Sequence, residues 1–302
     1  MGISHFPNGF QHGVSVQGMP LLNTYSGHVF WVDDAASGGQ DTGKGTFKRP
    51  FATIDYAIGR CTASRGDIIM VKAGYAQTIT AQINADVIGV KIIGLGGPGD
   101  MPTITPNGAI DAIDVSAANV TIANIKFAAP VTDAQTSDVN IDAAGCSLLG
   151  TVHVGSDTAL NKVDIVTITA NGDNFLIDGM RVTNDLVECV GGIKVEGAAA
   201  IGEVRNCMIL DTVGFTNGAI YDAAIGVNLY VHHNTFSNAK ADTVCMNWVS
   251  NSTGVCEYNF INGRHTTIQS NVVTGTGMAF NQNLGVEAAA LNGILMPVAD
   301  SE

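Results

Sequence analysis

Four ionisable residues recur at one phase of a repeating pattern: Asp178, Arg205, His232 and Glu257. Each follows the start of a short block of alternating apolar and polar residues, at Ile177, Val204, Val231 and Cys256. Similar blocks begin at Ile122 and Leu149, so successive starts lie 27, 28, 27, 27 and 25 residues apart. The position one residue on reads Ala123, Gly150, Asp178, Arg205, His232 and Glu257. If the blocks stack, acid, base and cation line up on an outward face, one coil apart. Proton abstraction or glycoside hydrolysis needs such groups within reach of one another. Opposite charges in adjacent strands also neutralise one another. The column therefore reads first as a solvated ladder of mixed charge, with catalysis by Asp178, Arg205, His232 and Glu257 as the alternative. No residue is assigned as catalytic.

Other chemical candidates are weaker. In the run His232-His233-Asn234, neighbouring strand residues point to opposite faces, so the two imidazoles should diverge. A third ligand at a suitable spacing is not evident, and neither a metal nor another cofactor is expected. Asp33-Asp34 reads as the boundary of a loop. The run Gly94-Leu95-Gly96-Gly97-Pro98-Gly99 lacks the lysine and following helix of a phosphate-binding loop, and reads as a corner. Tyr230 alternates with Leu229 and Val231 and should face outward. Trp248 lies in the loop-like stretch Asn247-Trp248-Val249-Ser250-Asn251. Both are candidates for stacking on a sugar ring.

The elements that must position these residues repeat with them. Five residues after each block start come Phe127, Val154, Val182, Ile209, Phe236 and Ile261. Three residues after come Ile125, Val152, Met180, Cys207, Asn234 and Asn259. Ile141, Ile168 and Val195 keep the same register. Val120-Thr121-Ile122 and Leu229-Tyr230-Val231 alternate with period two, and Asn, Gly and Asp recur between blocks. That is a repeat of strands and corners rather than of helix pairs. The expected fold is an all-β parallel β-helix of about seven coils at the cross-strand spacing of roughly 4.8 Å. It should occupy residues 91–275. A capping segment with the first strands fills 28–90, and a C-terminal cap or tail fills 276–302. Within 28–90, Phe30–Asp33 and Ile68–Val71 read as strands, and Thr53 to Arg60 as a short helix with Ile54, Ala57 and Ile58 on one face. Residues 1–27 read as an extended arm, broken by Phe6-Pro7-Asn8-Gly9 and Gly18-Met19-Pro20.

Composition narrows the function. Lys plus Arg is 14 against 27 for Asp plus Glu, a net charge of −13. That balance is the reverse of what gripping phosphates requires, and it argues against nucleic acid and anionic membranes as partners. Six dispersed cysteines read as free thiols, which fits assembly in a reducing cytoplasm. Residues 1–27 lack the pattern of a signal peptide. The arm still carries Phe6, Phe10, Val14, Val16, Met19, Leu21 and Leu22. These apolar side chains are candidates for burial against a partner.

Phe30-Trp31-Val32-Asp33, Gly43, Pro50-Phe51-Ala52-Thr53-Ile54, Ala57, Gly66-Asp67, Val71 and Gly74 resemble the opening of pectate-lyase-like right-handed parallel β-helix proteins. Val231-His232-His233-Asn234-Thr235-Phe236 resembles that superfamily's coil repeat. The resemblance covers about residues 28 to 275 and implies the fold and its right-handedness. It does not carry the superfamily's enzyme signatures: clustered calcium-binding aspartates, paired aspartates inside the coils and Gly-His-Gly are absent from the sequence. The arm with Phe6-Pro7-Asn8-Gly9 looks like phage structural proteins. It implies a virion protein that decorates or cements the capsid surface, a major capsid protein as partner, assembly in the host cytoplasm and self-association as a homotrimer. A tailspike or enzyme that binds or cleaves a surface glycan is the alternative, and as an enzyme it would be a polysaccharide lyase or glycoside hydrolase.

Overall fold

The computed structural model describes residues 14–16, 19–21 and 27–263, except 133, 157–159, 186, 198–199, 242 and 249–250, together with 272–273, 277–286 and 294–296. Strands of three kinds alternate along the chain, and almost every one pairs in parallel with the strands one coil before and after it. Sheet I begins at Val29–Val32 and ends at Gly277–Asn281. Sheet II runs from Ala76–Ile79 to Ile294–Met296, and sheet III from Ile83–Asn84 to Val272–Val273. The final pairing, Asn283–Val286 with Ile294–Met296, is antiparallel. Seven three-strand coils lie between Lys91 and Val273, and the fold is a right-handed parallel β-helix.

Alternation within each strand creates the core. Ile122, Leu148, Ile177, Val204, Val231 and Cys256 pair in turn along sheet I and are all buried. Val115, Ile141, Ile168 and Val195 stack likewise along sheet III. One register expected from the sequence is overturned. Leu148, not Leu149, continues the core column, and Leu149 points outward beside Asp178. The coil from Ile122 to Leu148 is shorter than the next, so a constant period slips by one there. The slip carries forward into sheet II. His153 takes the inner place expected for Val154, with its ring stacked 4.8 Å from Phe127.

From the strand Thr121–Ala123 onward, each turn from sheet I to sheet II passes through one residue in the left-handed backbone region. These are Asn124, Gly150, Gly179, Asn206, His233, Tyr258 and Gln282. Gly150 is thus a corner residue, not the outward column member expected. The residue after each corner turns inward, and in the last coils it is asparagine. Asn234 Nδ2 donates to the Val204 carbonyl at 2.9 Å, Asn259 Nδ2 to Val231 at 2.9 Å and Asn283 Nδ2 to Cys256 at 2.8 Å. In return, the Asn259 side-chain oxygen accepts from the Asn234 backbone N–H, and Asn283 does the same for Asn259. This ladder satisfies buried backbone groups that the corner takes out of the sheets.

The helix Ile54–Ile58 lies on the first coil. Thr53 caps it, accepting from the Tyr56 N–H, and Ile54, Ala57 and Ile58 are buried. Nearer the N-terminus, Val14–Val16 pairs antiparallel with Met19–Leu21. Val14, Val16, Met19 and Leu21 therefore sit on a small hairpin, while Phe6, Phe10 and Leu22 lie outside the described residues. All six cysteines are free, and burial pushes the Cys207 thiol up to about 12.

Asp164 on sheet III gives a pH-dependent contribution. Burial raises its carboxyl to about 6, against the lowering influence of the Tyr221 hydroxyl, which donates at 2.8 Å, and of Lys194. The fold thus favours the protonated form. Its contribution is complete below the ordinary value of 3.8 and is lost as pH rises through about 6. Asp164→Asn keeps an acceptor for Tyr221 without the buried charge. It should raise stability by about 2–3 kcal/mol well above pH 6, at 1.36 kcal/mol per unit, and by much less in acid. Thermal melts of both proteins across that range check this.

Candidate functional site

The outer face of sheet I, over its last coils, gathers the polar column and the aromatics. Asp178, Arg205, His232, Glu257 and Asn281 pair successively, so they stand one above another. Glu203 and Tyr230 form a second outward column two residues earlier on the same strands. The corner residues Asn206, His233 and Tyr258 make a third.

These groups bind one another. Arg205 Nε donates to Asp178 Oδ2 and Nη1 to Glu203 Oε1, both at 2.9 Å. Burial alone would raise the Asp178 carboxyl, but hydrogen bonds from Asn206 and Arg205 and the nearby positive charge hold it below its usual range. The same contact with Asp178 raises the Arg205 guanidinium. His232 Nε2 faces Glu203 Oε1 at 3.0 Å and Nδ1 faces His233 Nδ1 at 2.7 Å. The carboxylate can only accept, so in neutral His232 Nε2 carries the proton and Nδ1 accepts from His233. The Tyr230 hydroxyl donates to Glu257 Oε1 at 2.5 Å, which raises its own pKa, and Asn281 donates to Oε2 at 3.3 Å.

The aromatic rings form an exposed ledge over this network. Tyr230 and His232, two apart on one strand, stack at 3.9 Å. His233 and Tyr258, on successive corners, stack at 5.1 Å. Sequence alternation expected His232 and His233 to diverge. The left-handed backbone of His233, φ 55°, turns its ring back to meet His232 instead. Among the described residues no three His, Cys, Asp or Glu side chains form a metal-holding group. Trp248 is a further correction. It is fully buried, packed in the hydrophobic core after Met246–Asn247, and cannot touch an external sugar. Its polar surroundings in sequence mark a corner, not a solvent-facing loop.

His233 and Tyr258 are bulky at positions filled by Asn or Gly in the earlier coils, and left-handed backbone costs such residues roughly 1–2 kcal/mol. Tyr258→Asn should therefore raise stability by about 1 kcal/mol, measured by urea unfolding, while removing half of one aromatic stack. Strain of this kind is retained where the side chain has a use.

No family model matches the chain, and no curated protein matches it. Solved structures do. A rhamnogalacturonan lyase has a TM-score of 0.50 at 11% identity, over 79% of this chain and 75% of that one. A pectin methylesterase bound to a hexasaccharide has a TM-score of 0.45 at 11% identity, over 89% and 91%. The Geobacillus virus E2 protein ORF18 has a TM-score of 0.38 at 15% identity, over 85% of this chain and 61% of the viral one. What the chain shares with them is the parallel β-helix fold. At these identities the likeness is one of fold.

Proposed function

We propose that this β-helix is a non-catalytic structural protein of a phage virion, one that decorates or cements the capsid surface. The observation that carries the non-catalytic part is the self-neutralised outward column. A general base needs a lone pair aimed at substrate, and here both nitrogens of His232, the Arg205 guanidinium and both oxygens of Glu257 are engaged by protein groups. The virion assignment rests on the arm's resemblance to phage structural proteins. The arm, residues 1–27, is the attachment element to a major capsid protein. Its hairpin joins strands too short to be stable alone, which suits ordering against a preformed groove. The homotrimer is supported by an apolar stripe on the outer face of sheet II, where Met208, Leu210, Phe260 and Leu284 are exposed. Deleting residues 2–24 and adding the folded remainder to particles lacking the protein tests this reading. Binding should be lost, and undiminished binding would move the contact to the β-helix body.

The aromatic ledge favours a second reading, a face that holds a polysaccharide. Exposed rings of Tyr230 and Tyr258, flanked by Glu203, Arg205 and Glu257, have the apolar faces and hydrogen-bonding edges that sugars require. Sustained cleavage of an acidic polysaccharide, abolished by His232→Ala, would replace the structural reading with an enzymatic one. Binding without cleavage would add a ligand to it.

A further inference from the structure

One coil below this face, the interior of the solenoid is not apolar. Asp138, Lys162 and His153 all have fully buried side chains. Lys162 Nζ lies 2.7 Å from both carboxyl oxygens of Asp138. His153 Nδ1 is 2.9 Å from Asp138 Oδ2, and its Nε2 is 2.8 Å from the Thr151 hydroxyl. Gln135 Nε2 approaches Asp138 Oδ1 at 3.4 Å and donates to the Ser137 carbonyl at 2.6 Å. Phe127 stacks on the imidazole, and Cys189 lies near the lysine. Asp211 also lies close to Cys189. Burial keeps the His153 imidazole in its neutral form.

We propose that Lys162 and Asp138 condense here to a side-chain amide, an intramolecular cross-link from one coil to the next. Condensation joins an amine to a carboxylic acid, so within this pair one proton first passes from Nζ to a carboxyl oxygen 2.7 Å away. Those neutral forms are the reactive ones. The Nζ lone pair attacks Cγ of Asp138 and the new C–N bond forms. One carboxyl oxygen then departs as water, carrying two of the three original ammonium protons, while the third remains on the amide nitrogen. Charge and atoms balance without oxidant, metal or cofactor. His153 is placed to pass its Nδ1 proton to the departing Oδ2 and to recover one from the attacking nitrogen. Thr151 holds that ring in position. The parallel bridge between Gln135 and Lys162 fixes the lysine backbone one coil from the carboxylate, so the reacting groups meet without further loss of freedom.

The proposal concerns the interior and stands apart from the virion reading. Its test uses the full chain. Intact mass spectrometry of the folded, purified protein should give one water less than the sequence mass. Trypsin should fail after Lys162, and a protease cutting at Leu148 or Leu149 should release the Asp138 and Lys162 fragments still joined. Lys162→Arg should restore the full mass and separate the fragments. His153→Gln should slow the loss of water, followed in freshly made protein. Wild-type protein of full mass, with the fragments unlinked, would overturn the proposal and leave a buried ion pair. Loss of water that persists in Lys162→Arg would also overturn it, since the nucleophile would then be another group.

Discussion

Asn259→Leu should destabilise the protein by about 4 kcal/mol. The side chain is buried at the middle of the asparagine ladder, where its oxygen accepts from the Asn234 N–H and its amide donates to the Val231 carbonyl and to Asn283 Oδ1. Leucine fills similar volume but leaves those partners without hydrogen bonds in a dry interior. Each stranded group costs roughly 1–3 kcal/mol, and two or three are stranded at once. Urea unfolding reads the loss directly. An unchanged midpoint would show that water enters the corner and substitutes for the ladder. Asn206→Gly, two corners earlier and pointing outward, is the control, with an expected change below about 1 kcal/mol.

Phe236→Ala should have an effect of the same order, about 3–5 kcal/mol. Phe236 is fully buried in sheet II between Ile209 and Ile261. In a solenoid the residues above and below a removed ring are held by their own strands, so the space does not collapse. The midpoint of unfolding should fall while the steepness of the transition stays the same, because the surface exposed on unfolding changes little. A shallower transition would instead indicate that coils on either side of the cavity melt separately.

The fold was legible because its signal is periodic. Ile177, Val204 and Val231 announce a coil length by their spacing, and the strand Ile68–Val71 and the buried face of the helix Ile54–Ile58 follow from alternation and helical phase. The slip at Leu148-Leu149 shows the limit of that signal. Two adjacent leucines satisfy the apolar requirement equally, and only the pairing with Ile122 and Ile177 decides which faces inward. The same ambiguity concealed His153. Placing Val154 inside left no reason to look for a histidine in the core, still less for its partners Asp138 and Lys162, which come from a strand and a loop with no shared phase. The outward column from Asp178 to Glu257 could be read from the repeat alone. Its internal pairing could not, since Glu203 and Tyr230 stand on neighbouring columns. His233 lies on a corner, where strand alternation does not hold, and the polar neighbours of Trp248 in sequence say little about a buried residue at the end of a strand.

Each coil returns to its predecessor after about 27 residues, the separation of Arg205 from Asp178. A chain leaving the ribosome at roughly 5–20 residues per second completes such a turn within a few seconds. It then finds its docking edge already built, so no coil waits for a distant partner. Assembly by accretion from the helix-covered end keeps the growing edge short-lived at every stage. The strand Ile294–Met296, last in the order of sheet II, breaks this pattern by pairing antiparallel, so it is laid down from the reverse direction.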